Sequence, residues 1–431
     1  MPFETRQQAF VKRLLVPKDN RCCRSHLIKK RLYEEDLAKL SIYSHTSHVS
    51  VDDLQTFLEY FAVRSEITMK DKVGDLSLPE RDLKVLTGLT WGNVNELSDM
   101  LTSMRDTQGR NRTQALVTYL TKLRTGNSNN VIASILGLPR EQQVSEYVEA
   151  VVNSFERDVL PKYFGVSATS REEVVGNQSE FARKLLNLKD DQAVFIFDGT
   201  YVHLQNSSNN EYQRRLYLGQ KKKPLCKPFT VCTTNGRVVD VLGPLLANLN
   251  DAQIHEEILK DPNGLKNLMK VGDYCIVDRG FRDSKESLEA AGYIVLMPAL
   301  KGNRKQLTTK EANESREVTK LRWPIEATHG IIGEKNHLLH NQVDNKLLPK
   351  LGSFCRIACF VNNKFGKRLE SDNQNADRIL QQMRCRNFDE NTLAHEVEEK
   401  HWSRRKLPFT KIASSDLLDF CLLYTSPSPR D

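Results

Sequence analysis

The sequence predicts an α/β fold preceded by an all-α region, and three observations carry that prediction. Two short apolar runs, in "VFIFDG" and "YCIVDRG", each end on an aspartate, Asp198 and Asp278. Both are too short for a helix and too apolar for a solvent-facing edge, so they read as strands buried on both faces. Between them, "NG" at Asn235-Gly236 separates the runs Lys227–Thr234 and Arg237–Leu242, a two-residue hairpin signal. Upstream, from Leu76 to about Gly165, Leu83, Val85, Leu86, Leu89, Val94 and Leu97 recur at spacings of three and four, the helical period.

Within the helical stretch, Asn129 or Asn130 is placed to cap a helix carrying Val131, Ile132, Ile135 and Leu136. Gly137 and Pro139 end it, and a second helix carries Val144, Val148, Val151 and Phe155. Two short helices across a tight glycine turn form a helix-turn-helix pattern, whose DNA-reading version lays the second helix in the major groove. That second helix holds Glu141, Glu146 and Glu149, which face phosphate poorly, with Lys122, Arg124 and Arg140 beside it. A plain helical bundle is the other reading.

From about Asp191 strands and helices alternate. Ala193–Asp198 is the first strand, the hairpin follows, and Asp251–Leu259 reads as a helix with Asp251 as its N-cap. Tyr274–Phe281 is the second acid-bearing strand, Ser284–Ala291 a helix, Tyr293–Met297 a strand, and Lys310 to about Glu334 helical. After about Ser371 the chain turns polar. The organisation expected is therefore a weakly patterned segment over 1–75, a helical domain over 76–165, an α/β domain over 190–370 and a polar helical tail over 371–420.

The chain has 431 residues and a formal charge of +8, enough for two or three domains and suited to a nucleic-acid partner without requiring one. No apolar stretch approaches the length of a membrane span, and the N-terminus lacks the apolar core of a signal peptide. Nine irregularly spaced cysteines then read as reduced thiols of an intracellular protein. Cys22, Cys23 and His26 in "RCCRSHL" fall short of the four ligands of a structural zinc site, with His45 and His48 at unusual spacing to complete it. Residues 421–431, "CLLYTSPSPRD", look like a translated sequencing adapter and are set apart from fold reasoning.

An acid at the end of a buried strand is costly unless a turn, a cation or a metal compensates it. Strands side by side would bring Asp198 and Asp278 to one edge of the sheet. Two such carboxylates repel, so the arrangement asks for a divalent cation. A pair of Mg²⁺ ions bridged by aspartates is a common device for in-line attack on a phosphodiester.

These aspartates, with "DGTYVHLQ", "QKKKPLCKPFTVCTTNGRVVDVLGP", "IVDRGFRD" and "LTTKEANESREVTKLRW", resemble the Harbinger-type DDE transposases, or DDE superfamily endonucleases, over roughly Leu76 to Arg368. The resemblance implies an RNase H-like core whose third acid is Glu326 in "RWPIEATHG". It implies that Asp198, Asp278 and Glu326 bind two Mg²⁺ or Mn²⁺ ions and that DNA is cleaved, with strand transfer to target DNA in a true transposase. It also implies work in the nucleus, to which "KKR" at Lys29–Arg31 adds a weak basic signal. A homo-oligomer and a separate DNA-binding partner protein are compatible with it, and no membrane is involved. Pro324 stands where relatives usually carry an aliphatic residue, and it predicts a break, or a helix restarting with Pro324 at its first position.

Basic residues fit the same reading. Arg214, Arg215, Lys221, Lys222, Lys223 and Lys227 lie between the first strand and the hairpin, placed to contact phosphate, with a solvated loop as the alternative. Tyr201 and Trp323 are expected to pack in the core, with stacking on a displaced base as the other role. Two rival functions remain: a domesticated DNA-binding or protein-interaction module that has kept the fold without the chemistry, and a related enzyme acting on RNA or a hybrid.

Overall fold

The structure is a computed structural model that describes residues 21–40 except Lys29, most of 69–369, and 375–385 and 392–402, with a few isolated residues before 69. His45, His48 and the 421–431 segment lie outside the described residues.

Five helices open the well-packed part of the chain: α1 Glu80–Thr87, α2 Trp91–Met100, α3 Arg112–Thr125, α4 Asn129–Leu136 and α5 Glu141–Ser154. Helix α4 is capped by Ser128, whose hydroxyl accepts from the Val131 amide, so the cap lies one residue before the expected asparagines. Gly137, in the left-handed conformation, ends it. Helix α5 buries Val144, Tyr147, Val148, Val151 and Val152, while its Glu149 is paired with Lys350 at 3.1 Å. The cations beside the pair are held internally: Lys122 Nζ donates to the Asn127 carbonyl and Arg124 to the Lys335 carbonyl.

The α/β part is built on β1 Val194–Gly199, β2 Val202–His203, β3 Tyr217–Leu218, β4 Lys223–Cys232, β5 Val238–Leu246, β6 Tyr274–Ile276 and β7 Ile294–Leu296. Strand β4 is antiparallel to β1 on one side and to β5 on the other, and β6 and β7 continue the sheet parallel to β1. The short β2 and β3 also pair with β4. The β4–β5 connection is longer than the two-residue turn the Asn-Gly pair suggests. Thr233 and Arg237 close a three-residue loop with Gly236 at φ 82°, and Asn235 does not share the positive φ that a two-residue type I′ turn needs.

Three helices frame the sheet: α6 Asn210–Leu216 leads into β3, α7 Asp251–Lys260 covers one face, and α8 Thr309–Lys335 covers the other. The N-cap of α7 is Asn250, with Gln253 completing a capping box, so Asp251 is the first helical residue rather than the cap. Helix α9, Leu348–Phe365, joins the two regions. Its Phe354 stacks on Tyr119 of α3 with ring centroids 5.7 Å apart, and one apolar cluster runs from α1–α5 into α9, Val238 and Val241. Among the described residues no helix is long and apolar enough to cross a membrane.

Candidate active site

The alternation of β1 decides where Asp198 points. Phe195 and Phe197 belong to the cluster on the α7 side, whereas Val194 and Ile196 pack with Val318, Leu321 and Ile325 of α8. Successive side chains alternate faces, so Asp198 follows Val194 and Ile196 toward α8. The parallel register pairs Ile196 with Ile276, and Ile276 lies in the same α8-side cluster. Asp278 follows two residues later, just past the end of the neighbouring strand β6.

Helix α8 brings the rest. Ser315, Val318, Leu321, Ile325, Thr328 and Ile332 form its buried stripe, and Arg322, Glu326 and His329 form the row beside that stripe, at spacings of four and three. Asp198 Oδ2 lies 3.2 Å from an Arg322 guanidinium nitrogen, and Arg322 also clasps Glu326 in a tight hydrogen-bonded pair. His329 Nδ1 lies 3.8 Å from Asp198 Oδ2. One potential ligand atom each from Asp198, Glu326 and His329 falls within 4.8 Å of the other two. Among the described residues this is the one such group of three or more ligand-type side chains.

Asp278 is not a member of that group, although its charge acts on Arg322 together with those of Asp198 and Glu326. Burial tends to lower the Arg322 pKa, but the three carboxylates outweigh it and the net shift is upward. Asp278 is half-buried, and its carboxylate accepts from the Gly280 amide at 2.7 Å, capping the short helical turn after β6. Arg282, four residues on, is paired with Asp283.

His329 carries the information that sequence reading missed. Burial, helped by Arg322 and opposed by Glu326, pushes its pKa down to about 4, so the ring is neutral at physiological pH. Its Nε2 is buried without a protein partner, and the distance from Nδ1 to Asp198 exceeds a hydrogen bond. A cavity of about 280 Å³, lined in part by Thr200, Tyr201, His203, His329 and His340, opens beside it. The available signal was Glu326-x-x-His329, a spacing that puts two ligand-type side chains on one helical face.

Several expectations change here. Pro324 neither breaks nor restarts α8, which runs unbroken across it. Its ring is buried in the stripe facing the sheet, and its carbonyl accepts from the Thr328 hydroxyl at 2.7 Å. Packing thus compensates a lost backbone bond, and Glu326 sits in mid-helix rather than in a first turn. Trp323, expected in the core, is 53 % exposed. Lys227 is buried, with Nζ donating to the Leu249 carbonyl and lying 5.3 Å from the Tyr201 ring centroid, so it is not part of a phosphate-facing surface. Arg214, Arg215, Lys221, Lys222 and Lys223 are exposed, with Arg215 paired to Glu211. At the N-terminus, Cys23 Sγ contacts Ser25 and His26 pairs with Asp36, and Cys22, Cys23 and His26 form no metal-ligand cluster among the described residues.

With this geometry in place, residues 197–363 match the family model of the DDE superfamily endonucleases. The matched span begins one residue before Asp198 and contains Asp278, Glu326 and His329. The mixed sheet flanked by helices is compatible with a DDE nuclease fold. No curated protein and no solved structure matches the chain.

Proposed function

We propose that the protein is a metal-dependent DNA endonuclease of transposase type, with Asp198, Asp278 and Glu326 as its catalytic acids on an RNase H-like core. The observation that carries this reading is the convergence of a strand-end aspartate and a mid-helix glutamate, from elements 128 residues apart (326 − 198), inside the span that matches the endonuclease family. The strand order supports it: an antiparallel hairpin pair, β4 and β5, lies on one side of β1, and two parallel strands, β6 and β7, lie on the other.

The donor set fits a divalent cation. Asp198 and Glu326 offer oxygens, His329 a neutral nitrogen without a hydrogen bond, and Asp278 a further carboxylate just past the end of β6. A bound Mg²⁺ or Mn²⁺ supplies Lewis-acid activation of a water or hydroxyl and charge neutralisation at the leaving oxygen. The chain's own residues do the rest. Arg322 pairs with both Asp198 and Glu326 and aligns them, and the exposed Lys221–Lys223 run steers the DNA backbone. Harbinger kinship, strand transfer, a nuclear site of action, self-association and a separate DNA-binding partner belong to the same proposal. The α4–α5 pair enters it as a packing unit, because the nearby Lys122 and Arg124 of α3 are held on internal carbonyls and Glu149 on Lys350.

One observation favours the non-catalytic alternative: Arg322 already neutralises Asp198 and Glu326, as a purely structural ion network would. The test is nicking of supercoiled DNA in Mg²⁺ or Mn²⁺ by wild type and by Asp198→Asn, Asp278→Asn and Glu326→Gln. The expected result is metal-dependent nicking that each substitution lowers on the order of 10³-fold, with thermal stability retained. DNA binding with no nicking in either metal would establish the alternative.

A further inference from the structure

We propose that His329 is a metal ligand, making the carboxylate centre a mixed oxygen–nitrogen site that takes a first-row transition ion in preference to Mg²⁺. This rests on the metal-dependent reading above and goes beyond it by naming the ion class and the residue that selects it.

The placement of the ring is the first argument. Glu326 and His329 sit three residues apart on α8, on the flank that meets Asp198, so the helix delivers one oxygen and one nitrogen donor to the same point. Ligand bonds of about 2.1 Å put two donors of one coordination sphere from about 3 Å apart, for a right angle at the metal, to about 4.2 Å apart, for opposite positions. The observed 3.8 Å between His329 Nδ1 and Asp198 Oδ2 falls in that interval and is too long for a hydrogen bond. Glu326, half-exposed at the rim and paired with Arg322, brings a carboxylate oxygen within 4.8 Å of both other donors.

The second argument is what the ring lacks. A histidine kept for structure normally donates or accepts through at least one nitrogen. His329 is 12 % exposed, its Nε2 has no protein partner, and its Nδ1 faces a carboxylate at non-bonding distance. With the ring proton on Nε2, Nδ1 and the carboxylate would both be acceptors and would gain by sharing a cation. Arg322 supplies its cationic group to the two carboxylates.

The third argument is donor chemistry. Mg²⁺ holds to oxygen ligands and keeps several waters, whereas imidazole suits first-row transition ions. A nitrogen donor beside two carboxylates therefore tilts selection away from Mg²⁺.

The test uses the full chain and Mn²⁺ as the probe ion. Calorimetric titration with Mn²⁺ and with Mg²⁺ is run on wild type, His329→Ala, His329→Asn and Asp198→Asn. Pulsed EPR is then recorded on Mn²⁺-loaded protein carrying ¹⁴N- or ¹⁵N-labelled histidine. The expected results are Mn²⁺ binding at least tenfold tighter than Mg²⁺ in wild type, and a loss of about tenfold in Mn²⁺ affinity in both His329 variants with Mg²⁺ affinity little changed. The manganese signal shows histidine-nitrogen coupling in wild type and loses it in the variants. Equal loss for both ions, or a wild-type signal without that coupling, overturns the assignment while leaving the nuclease reading intact. Wild type binding neither ion overturns both. The labelled wild-type spectrum decides the matter even if a variant fails to fold.

Discussion

His255 and His329 lie on opposite faces of the same strand, and each is a buried histidine whose pKa is pushed down to about 4 mainly by burial. Neither ring makes a hydrogen bond: both nitrogens of His255 and Nε2 of His329 are buried without partners. Their surroundings separate them. His255 is packed against the rings of Phe197, Phe229 and Phe281, with centroids 4.4 to 6.5 Å away. His329 faces Asp198, Glu326 and Arg322. An unpartnered imidazole among phenyl rings has nothing to act on, whereas the same group among carboxylates becomes a donor in search of a cation. The contrast originates in one alternation step of β1, since Phe197 turns toward His255 and Asp198 toward His329.

The largest effect expected is on the charged side. Arg322→Ala leaves Asp198, 12 % exposed at its side chain, without its cation. Removing one partner of a largely buried ion pair costs about 3 kcal/mol in metal-free buffer. If the site accepts a divalent ion, Mn²⁺ should restore most of that loss, and the variant's melting temperature should rise more on metal addition than that of wild type. Equal rises in both proteins would show that Arg322 and the ion do not compete for the same carboxylates.

The aromatic side gives a pH test. In the unfolded chain His255 titrates near 6.5, while in the folded protein it stays neutral down to about 4. The unfolded state therefore binds the proton first as pH falls. Stability is complete above pH 6.5, drops between 6.5 and 4, and levels off below, a contribution of about 3 kcal/mol. His255→Leu should flatten that part of the acid limb, measured by denaturant unfolding at pH 7, 6, 5 and 4, without affecting DNA nicking at pH 7.5. An unchanged limb would mean that other groups set the acid sensitivity.

What was legible in the sequence follows the same division. Asp198 and Asp278 could be read because an apolar run that ends on an acid is rare and physically expensive. The presence of the hairpin and the order of strands and helices along the chain were readable from period and turn chemistry, whereas the three-residue loop at Asn235 and the unbroken run of α8 through Pro324 were not. Glu326 needed a family resemblance, since Glu311, Glu314 and Glu317 precede it on the same helix and charge alone does not choose among them. Arg322 and His329 stayed hidden because a helical row has meaning only once the face meeting the sheet is known. Lys227 was misread for a related reason: its position in a basic run suggested solvent, but the strand carries its stem inside and its ammonium finds a carbonyl.

A smaller effect is expected outside both faces. Lys221, Lys222 and Lys223 are exposed in the turn leading into β4, and they form no ion pair among the described residues. If they bind phosphate, neutralising all three lowers the slope of log K against log salt by about 0.9 for each phosphate no longer neutralised on duplex DNA. Fluorescence anisotropy across a salt series measures it, and an unchanged slope assigns the run to solvent.

The smallest effect expected is at Pro324, although a proline in a helix interior ordinarily costs about 3 kcal/mol. Helix α8 extends 17 residues from Thr309 to Glu326 and 9 more to Lys335 (326 − 309 and 335 − 326), so Glu326 is remote from both ends and their dipoles. Pro324 has been accommodated by burying its ring in the stripe against the sheet and by the Thr328 hydroxyl on its carbonyl. Pro324→Val restores a backbone donor but exchanges that ring for a differently shaped side chain, and the two changes oppose each other. The net should be about 1 kcal/mol or less, with nicking within about twofold of wild type. Melting curves and nicking rates in Mn²⁺ provide the comparison, with Glu326→Gln as the inactive control. A tenfold change in nicking, in either direction, would show that the proline sets how the Arg322–Glu326–His329 row meets Asp198.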